Sequence, residues 1–282
     1  MKKIENQTLD EERALYSISD AMVKKCFFTG PKDGESALKE CKNIKVEESY
    51  FNLRYPFWHD DKLTIDKCEL TDKCRAALWY SKNINITATK LGGIKALREC
   101  SDIKLKNVII DSTEFGWRCK NLSVLDSKVT KSEYFFFQCK NINIKKLEMI
   151  GKYSFQYVKN VNISDSSFDT KDAFWHSKNV TVKNSIIKGE YLGWYSNGLT
   201  LINCKIIGTQ PLCYCKNLKL VNCEMIDTDL AFEYSDVEAT IKGSIDSIKN
   251  PKSGYIKADK IKETILENSK YKCKCKIEEK HH

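Results

Sequence analysis

Apolar residues recur along this chain at one, three and eight positions past a polar anchor, and the anchor returns every nineteen to twenty-one residues. Ile142, Ile144 and Met149 follow Asn141; Val180, Val182 and Ile187 follow Asn179; Leu218, Leu220 and Met225 follow Asn217. A polar residue (Asn143, Thr181, Lys219) separates the first two apolar positions, which is the period-two alternation of a strand with one buried face. A turn-like pair follows, as in Ser164-Asp165, Lys183-Asn184 and Lys145-Lys146, and then a second short strand. A third, aromatic-rich segment leads into the next anchor: Ala77-Leu78-Trp79-Tyr80, Ala173-Phe174-Trp175-His176, Leu192-Gly193-Trp194-Tyr195. Asp169, Gly151, Gly189 and Gly208 mark a corner near its start.

The anchor falls at Asn43, Lys62, Asn83, Asp102, Asn121, Asn141, Asn160, Asn179, Gly198, Asn217 and Asp236, with a fainter copy on Asp20. From Asp102 to Asp236 every interval is nineteen residues except the twenty between Asn121 and Asn141. A short fixed period means stacked repeats. Three short strands and three corners in nineteen residues leave no room for a helix. The predicted fold is therefore all-β: a single-domain right-handed parallel β-helix of about 11–12 coils with a ~19-residue repeat, each coil bonded to the next about 4.8 Å away. Asparagine repeated at one corner fits, since stacked amides bond to one another and tolerate left-handed backbone angles. A leucine-rich horseshoe is the competing fold, echoed by Cys119-x-x-Leu122-x-Val124. Its period is longer, its convex segment is not aromatic, and leucine is uncommon at the slots here.

The repeat divides the chain into an N-terminal cap (1–13), the β-helix (14–245), a C-terminal cap with an edge strand (246–280), and a tag-like His281-His282. Tyr271 to Ile277 alternates with lysine on one face and reads as the edge strand, with 254–266 in the cap. Residues 29–36 exceed the normal coil and are expected to protrude.

Composition narrows the partners. The net charge of +9 comes from 42 lysines and 5 arginines spread over every repeat, which suits a soluble coat and not a nucleic-acid face. No stretch reaches the ~18 apolar residues of a membrane span and no apolar leader is present, so a cytoplasmic protein is expected. The thirteen cysteines follow the repeat. Cys41, Cys100, Cys119, Cys139 and Cys215 share one column, and Cys26, Cys68, Cys204 and Cys223 another. Serine substitutes in both columns (Ser81, Ser177, Ser196; Ser49, Ser127, Ser166, Ser185), so the slots want a small buried side chain and free thiols are expected. Cys273-x-Cys275 lacks a second pair or a histidine nearby; no metal and no cofactor are expected.

All five tryptophans lie four residues before an anchor: Trp58, Trp79, Trp117, Trp175 and Trp194. The next column holds His59, Tyr80, Arg118, Tyr157, His176, Tyr195, Tyr214 and Glu233. The tryptophans either stack inside as a core ladder or point outward along a groove. Lys39, Arg98 and Gln156 in the same slot favour the outward or rim position, with Leu78, Phe155 and Phe174 as the interior column. Rings about 5 Å apart along a groove suit a row of sugar rings. The expected ligand-binding residues are thus Trp58, Trp79, Trp117, Tyr157, Trp175, Trp194, Tyr195 and Tyr214.

Candidate catalytic chemistry is confined to Asp172 and Glu190, at one corner of consecutive coils, with His176 beside them. Paired carboxyls at a coil spacing resemble those of a retaining glycosidase, but solvated corner acids are also ordinary in a β-helix. The Trp58-His59-Asp60-Asp61 cluster is similar to the paired aspartates of pectin-hydrolysing β-helices, whose Asn-Thr-Asp, Gly-His-Gly and Arg-Ile-Lys motifs are missing here.

Four strings, Lys171-Asp172-Ala173-Phe174-Trp175-His176-Ser177, Gly189-Glu190-Tyr191-Leu192-Gly193-Trp194-Tyr195-Ser196, Gly208-Thr209-Gln210-Pro211-Leu212-Cys213-Tyr214-Cys215 and Ser247-Ile248-Lys249-Asn250-Pro251, resemble a bacterial family known as domain of unknown function 3737. The resemblance implies a right-handed, pectin-lyase-like parallel β-helix over nearly the whole chain and implies no activity or site residues. Three functions stay open: a binder of an extended carbohydrate-like ligand (an oligo- or polysaccharide), a glycan-active hydrolase or lyase using Asp172 and Glu190, and a protein-interaction scaffold.

Overall fold

The computed structural model describes residues 1–30 and 36–280; residues 31–35 of the expected protruding loop and the two terminal histidines lie outside the described residues. The chain is an all-parallel β-solenoid of about 14 turns with roughly 19-residue spacing, 57% strand and no helix among the described residues. The turn number exceeds the expected count because pairing extends past both ends of the regular phrase.

Two compact units are resolved, 1–143 and 144–282. In the first, the anchor strands Ser19–Lys24, Lys42–Glu47, Asp61–Asp66, Lys82–Thr87 and Ser101–Lys106 pair in sequence order. Ile44, Leu63, Ile84 and Ile103 stack in register, all buried. Lys2–Glu5, inside the segment expected as a cap, is itself a strand paired to Ser19–Lys24. In the second unit, Lys159–Ser164, Lys178–Lys183, Asn197–Ile202 and Leu218–Ile226 form the same ladder, with Val161, Val180 and Leu199 in register. The segment expected as a C-terminal cap continues the solenoid: Ser253–Ala258 pairs with Asp236–Lys242, and Lys260–Ile265 with Ser244–Lys249. Its alternating apolar residues (Ile256, Ala258) are buried as in any coil. A strand at Lys274–Glu279 pairs with Ser253–Ala258; it begins three residues after the Tyr271 start expected for the edge strand and runs past Ile277.

The anchor corner is left-handed from Asp20 to Asn217, and not at Asp236: Asn43 has φ 53°, Asn83 56°, Asn121 58° and Asn179 53°. Asparagine is among the residues least penalised there, and its amide bonds to the neighbouring coil, as Asn121 Nδ2 does to Asp102 Oδ1 at 2.9 Å and Asn141 Nδ2 to Asn121 Oδ1 at 2.9 Å.

Both cysteine columns answer a hydrogen-bonding need. Cys100 N–H donates to Cys119 Sγ (3.4 Å), Cys119 N–H to Cys139 Sγ (3.3 Å), and Cys215 N–H to Ser235 Oγ (2.8 Å). The same side chains donate onward: Cys100 Sγ to the Leu78 carbonyl, Ser81 Oγ to that of Phe57 and Cys215 Sγ to that of Gly193. In the second column Cys26 N–H bonds to Ser49 Oγ, Ser49 N–H to Cys68 Sγ and Ser166 N–H to Ser185 Oγ. The slot therefore wants a small side chain that is both acceptor and donor, which serine and cysteine share. All thirteen cysteines are free, eleven of them buried.

Candidate functional site

The aromatic-rich side of each coil is a repeated turn rather than the third strand the sequence predicts. In residues 172–176 every second residue is left-handed: Asp172 (φ 54°), Phe174 (61°) and His176 (53°). Residues 153–157 repeat this at Tyr153 (57°), Phe155 (58°) and Tyr157 (57°). Left-handed angles cost a non-glycine residue roughly 1–2 kcal/mol. Here the N–H groups of these residues bond to neighbouring coils in alternating directions, His176 to the Trp194 carbonyl (3.0 Å) and Phe174 to that of Ser154 (3.0 Å). Two-residue strands survive on this side only at Leu78–Trp79 and Leu97–Arg98 among the described residues.

This backbone sorts the side chains. Phe155 and Phe174 point inward, fully buried and stacked at 5.0 Å. Leu78, expected in this column, is buried in the first unit, and Phe57 joins it there. Gly116 takes that slot where φ is 79° and a Cβ would lie 2.2 Å from the Phe136 ring, so only glycine fits.

The tryptophans sit at the rim, half-buried. Their indole N–H groups are tied to the adjoining coil: Trp58 to the Ala76 carbonyl (2.6 Å), Trp117 to Tyr134 (3.0 Å), Trp175 to Tyr191 (2.7 Å) and Trp194 to Gln210 (2.7 Å). Gln156 in the same slot does likewise, its Nε2 donating to the Asp172 carbonyl at 3.2 Å. In these five coils the slot carries a side-chain N–H donor on a long body, which aromatic counting does not reveal; Phe137, Cys213 and Phe232 fill it in other coils without one. Trp79 alone has a buried Nε1 without a partner, and the Arg98 guanidinium lies over its ring at 4.6 Å.

The next column points outward. In the second unit Tyr157, His176, Tyr195 and Tyr214 form a face-to-face stack with centroid spacings of 4.9, 5.0 and 4.8 Å and interplanar angles of 8°, 7° and 13°. Tyr157 is 48% and Tyr195 45% exposed. Trp175 and Trp194 stack beside them at 5.4 Å. The ring faces within the stack are covered by their neighbours, so edges and polar tips meet solvent; stacking of sugar rings on these faces, the sequence-based picture, has no room inside the stack. Burial, with the Glu233 charge second, holds the Tyr214 phenol above its ordinary value, so it remains a donor. In the first unit the outward column holds one such pair, His59 and Tyr80, stacked at 5.1 Å.

Asp172 and Glu190 are brought together: the Asp172 N–H donates to the Glu190 carbonyl at 2.9 Å. Asp172 is buried, and that burial raises its carboxyl above the usual range, with Lys171 opposing and Glu190 adding to the shift. Glu190 is half-exposed and ion-paired with Lys171 at 3.0 Å. His176 is exposed and sandwiched in the ring stack; among the described residues it makes no hydrogen bond or ion pair with either acid.

Sequence reasoning passed over a groove of about 570 Å³ in the first unit, lined by Asn83, Asn85, Asp102, Lys104, Asn121, Ser123, Asn141 and Asn143 together with the apolar Ile84, Ile103 and Leu122. Its signal was the anchor column itself, read for its stacked amides and backbone angles and not as the wall of a groove.

The profile of a family described as protein of unknown function (DUF3737) matches residues 2–278. The chain belongs to this family. The resemblance carried by the four strings is thereby borne out, and DUF3737 brings no assigned activity with it. A search of curated proteins found no match. Among solved structures, this DUF3737 chain is similar to a surface adhesin of Streptococcus pneumoniae, PfbA (10% identity, TM-score 0.45, covering 79% of this chain and 73% of that one). It is also similar to HetL, a pentapeptide repeat protein of the cyanobacterium Nostoc (10%, TM-score 0.37, 80% and 92%). A third likeness is to the A-module of an Azotobacter vinelandii mannuronan C-5 epimerase (9%, TM-score 0.30, 97% and 86%). No helix among the described residues is long and apolar enough to cross a membrane.

Proposed function

We propose that this DUF3737 protein binds an extended, carbohydrate-like polymer along the outward ring stack of its second unit. One observation carries the reading: Tyr157, His176, Tyr195 and Tyr214 present one ring per coil at intervals of 4.8–5.0 Å, edge-on. Phenol hydroxyls and imidazole nitrogens then form a straight row of hydrogen-bonding tips on a rigid apolar strip. The rings are already held by their neighbours, so little side-chain entropy is lost when a ligand docks. A polymer rich in hydroxyls can meet such a row with one contact per coil. The test is binding of a panel of soluble glycans by calorimetry, with the Tyr157→Ala/Tyr195→Ala double variant beside the parent. Loss of at least tenfold in affinity for a bound glycan supports the reading; glycan binding indifferent to both substitutions overturns it.

A second reading is favoured by a specific observation. Asp172 and Glu190 are adjacent acids in opposite environments, one buried with a raised pKa and one paired with Lys171. Two such carboxyls are what glycoside cleavage requires of its acid and its partner. Release of reducing ends from a bound glycan, abolished in Asp172→Asn, would favour a hydrolase over a passive binder.

A further inference from the structure

The ring stack of the second unit changes character at one end. After Tyr214 the next ring, Tyr234, is tilted by 51° at 5.8 Å, and Tyr271 then meets Tyr234 edge-on, at 81° and 5.4 Å. Tyr271 is 53% exposed. Here a ring surface is released from the stack, which no position between Tyr157 and Tyr214 allows. The release coincides with a pocket of about 260 Å³ bounded by these three tyrosines and by Lys216, Lys252 and Lys270.

The charge in this pocket is unbalanced. Asp236 is its single acid against three ammonium groups, and its Oδ1 already accepts from Ser253 Oγ at 2.5 Å. Lys252 reaches that carboxylate only at 3.8 Å and also lies over the Tyr271 ring at 5.9 Å. Lys216 and Lys270 have no carboxylate within ion-pair distance among the described residues. Lys171, Lys188 and Lys205 of the same unit are each matched to an acid on a neighbouring coil (Glu190, Asp169 and Glu224), whereas here three lysines converge on one cavity that holds one acid. Three like charges around one cavity repel unless an anion joins them, and a partly enclosed site screens that repulsion less than open water does.

We propose that this pocket holds an anionic saccharide unit, its charged group between Lys216, Lys252 and Lys270 and its ring against Tyr271. The proposal deepens the polymer-binding reading and rests on it for the ligand being a saccharide. A pocket of this size takes about one pyranose, so it anchors one unit of the chain while the ring stack tracks the remainder. The anion is a carboxylate or a phosphate ester, and the lysines serve both.

Calorimetric titration of the full chain with a trimer of galacturonate, a trimer of glucose, glucose 6-phosphate and inorganic phosphate tests this. Binding of the galacturonate trimer or of glucose 6-phosphate is expected, weakened at least tenfold by Lys216→Glu/Lys270→Glu and by rising salt. The glucose trimer should bind at least tenfold more weakly than its acidic counterpart. Tyr271→Ala should weaken the sugar anions while leaving any phosphate binding unchanged. Equal affinity for the two trimers, inorganic phosphate binding as tightly as the sugar anions, or indifference to the lysine reversals overturns the proposal. Those lysines are at the surface, so the variants retain the fold, which circular dichroism verifies. Trimer binding that survives Tyr157→Ala/Tyr195→Ala supports the pocket even where the ring-stack reading fails. A long neutral glycan held by the stack, with no affinity for either sugar anion, overturns the pocket alone.

Discussion

The backbone N–H of Cys41 donates to Oδ1 of Asp60, one coil along, at 2.7 Å. Asp60 thus occupies the slot that serine or cysteine fills in other coils, and its own N–H continues the ladder to Ser81 Oγ at 2.9 Å. Its second oxygen, Oδ2, is buried without a hydrogen-bond partner. A carboxylate so placed is unfavourable, and burial pushes the Asp60 pKa up to about 8, against the opposing Cys41 hydrogen bond.

The consequence is a pH-dependent loss of stability. The folded state keeps the Asp60 proton up to about pH 8, while the unfolded chain releases it near the ordinary carboxyl value of 3.8. Between those limits the folded state binds more protons, so stability falls as pH rises, by at most about 1.4 kcal/mol per pH unit. Asp60→Ser restores the usual slot residue. Denaturant unfolding should show the variant more stable than the parent at pH 8, with the gain shrinking towards pH 4. Parallel pH profiles for the two proteins would refute this account of Asp60.

The same slot predicts an unusual tolerance at Cys119, which accepts the Cys100 N–H and lies next to Cys139. Cys119→Ser retains an acceptor and should change stability by less than about 1 kcal/mol, whereas Cys119→Val leaves the Cys100 N–H unpaired and should cost about 1–3 kcal/mol. Valine is closer to the thiol in hydrophobicity, so a purely apolar slot would give the reverse order. Chemical denaturation of the two variants decides between them.

How much of this was legible in the chain depends on what kind of position is considered. The strands at Asn179 to Val182 and their copies announce themselves because burial on one face imposes alternation on every coil. The turn side is different. Phe174, Trp175 and His176 are consecutive, yet one is core, one is rim and one is solvent-facing, because left-handed angles at alternate residues set side-chain directions that no simple period encodes. The tryptophan column was visible as a column, but Gln156 was the residue that explained it. Its amide makes the same carbonyl contact as the indoles, so the slot is partly structural. The lysine pocket at Tyr271 was illegible, since Lys216, Lys252 and Lys270 come from three different coils and only the fold brings them to one cavity.

Phe174 should be among the most costly residues to truncate. It is fully buried, stacks on Phe155 at 5.0 Å and follows a small neighbour, Ala173, that is also buried. Phe174→Ala is expected to lose about 3–5 kcal/mol. Phe174→Leu, the residue of the equivalent slot at Leu78, should lose less than half of that. Calorimetric melting of both variants checks the order, and a Phe174→Ala cost below about 1 kcal/mol would be incompatible with a packed interior column.

Trp194 tests the rim assignment directly. Its ring is half-buried against Trp175 at 5.4 Å, and its N–H is committed to the Gln210 carbonyl at 2.7 Å. Acrylamide should therefore quench the tryptophan emission to a degree between that of a free indole and that of a core residue. A structural tie of this kind is worth about 0.5–1.5 kcal/mol. Trp194→Phe keeps the ring stack but removes the donor, and should lower stability by that amount without altering the Tyr195 strip. Trp194→Gln, which imitates Gln156, should recover part of the loss despite replacing an aromatic ring with an amide. If glutamine proves the worse of the two, the ring and not the donor is what this slot requires.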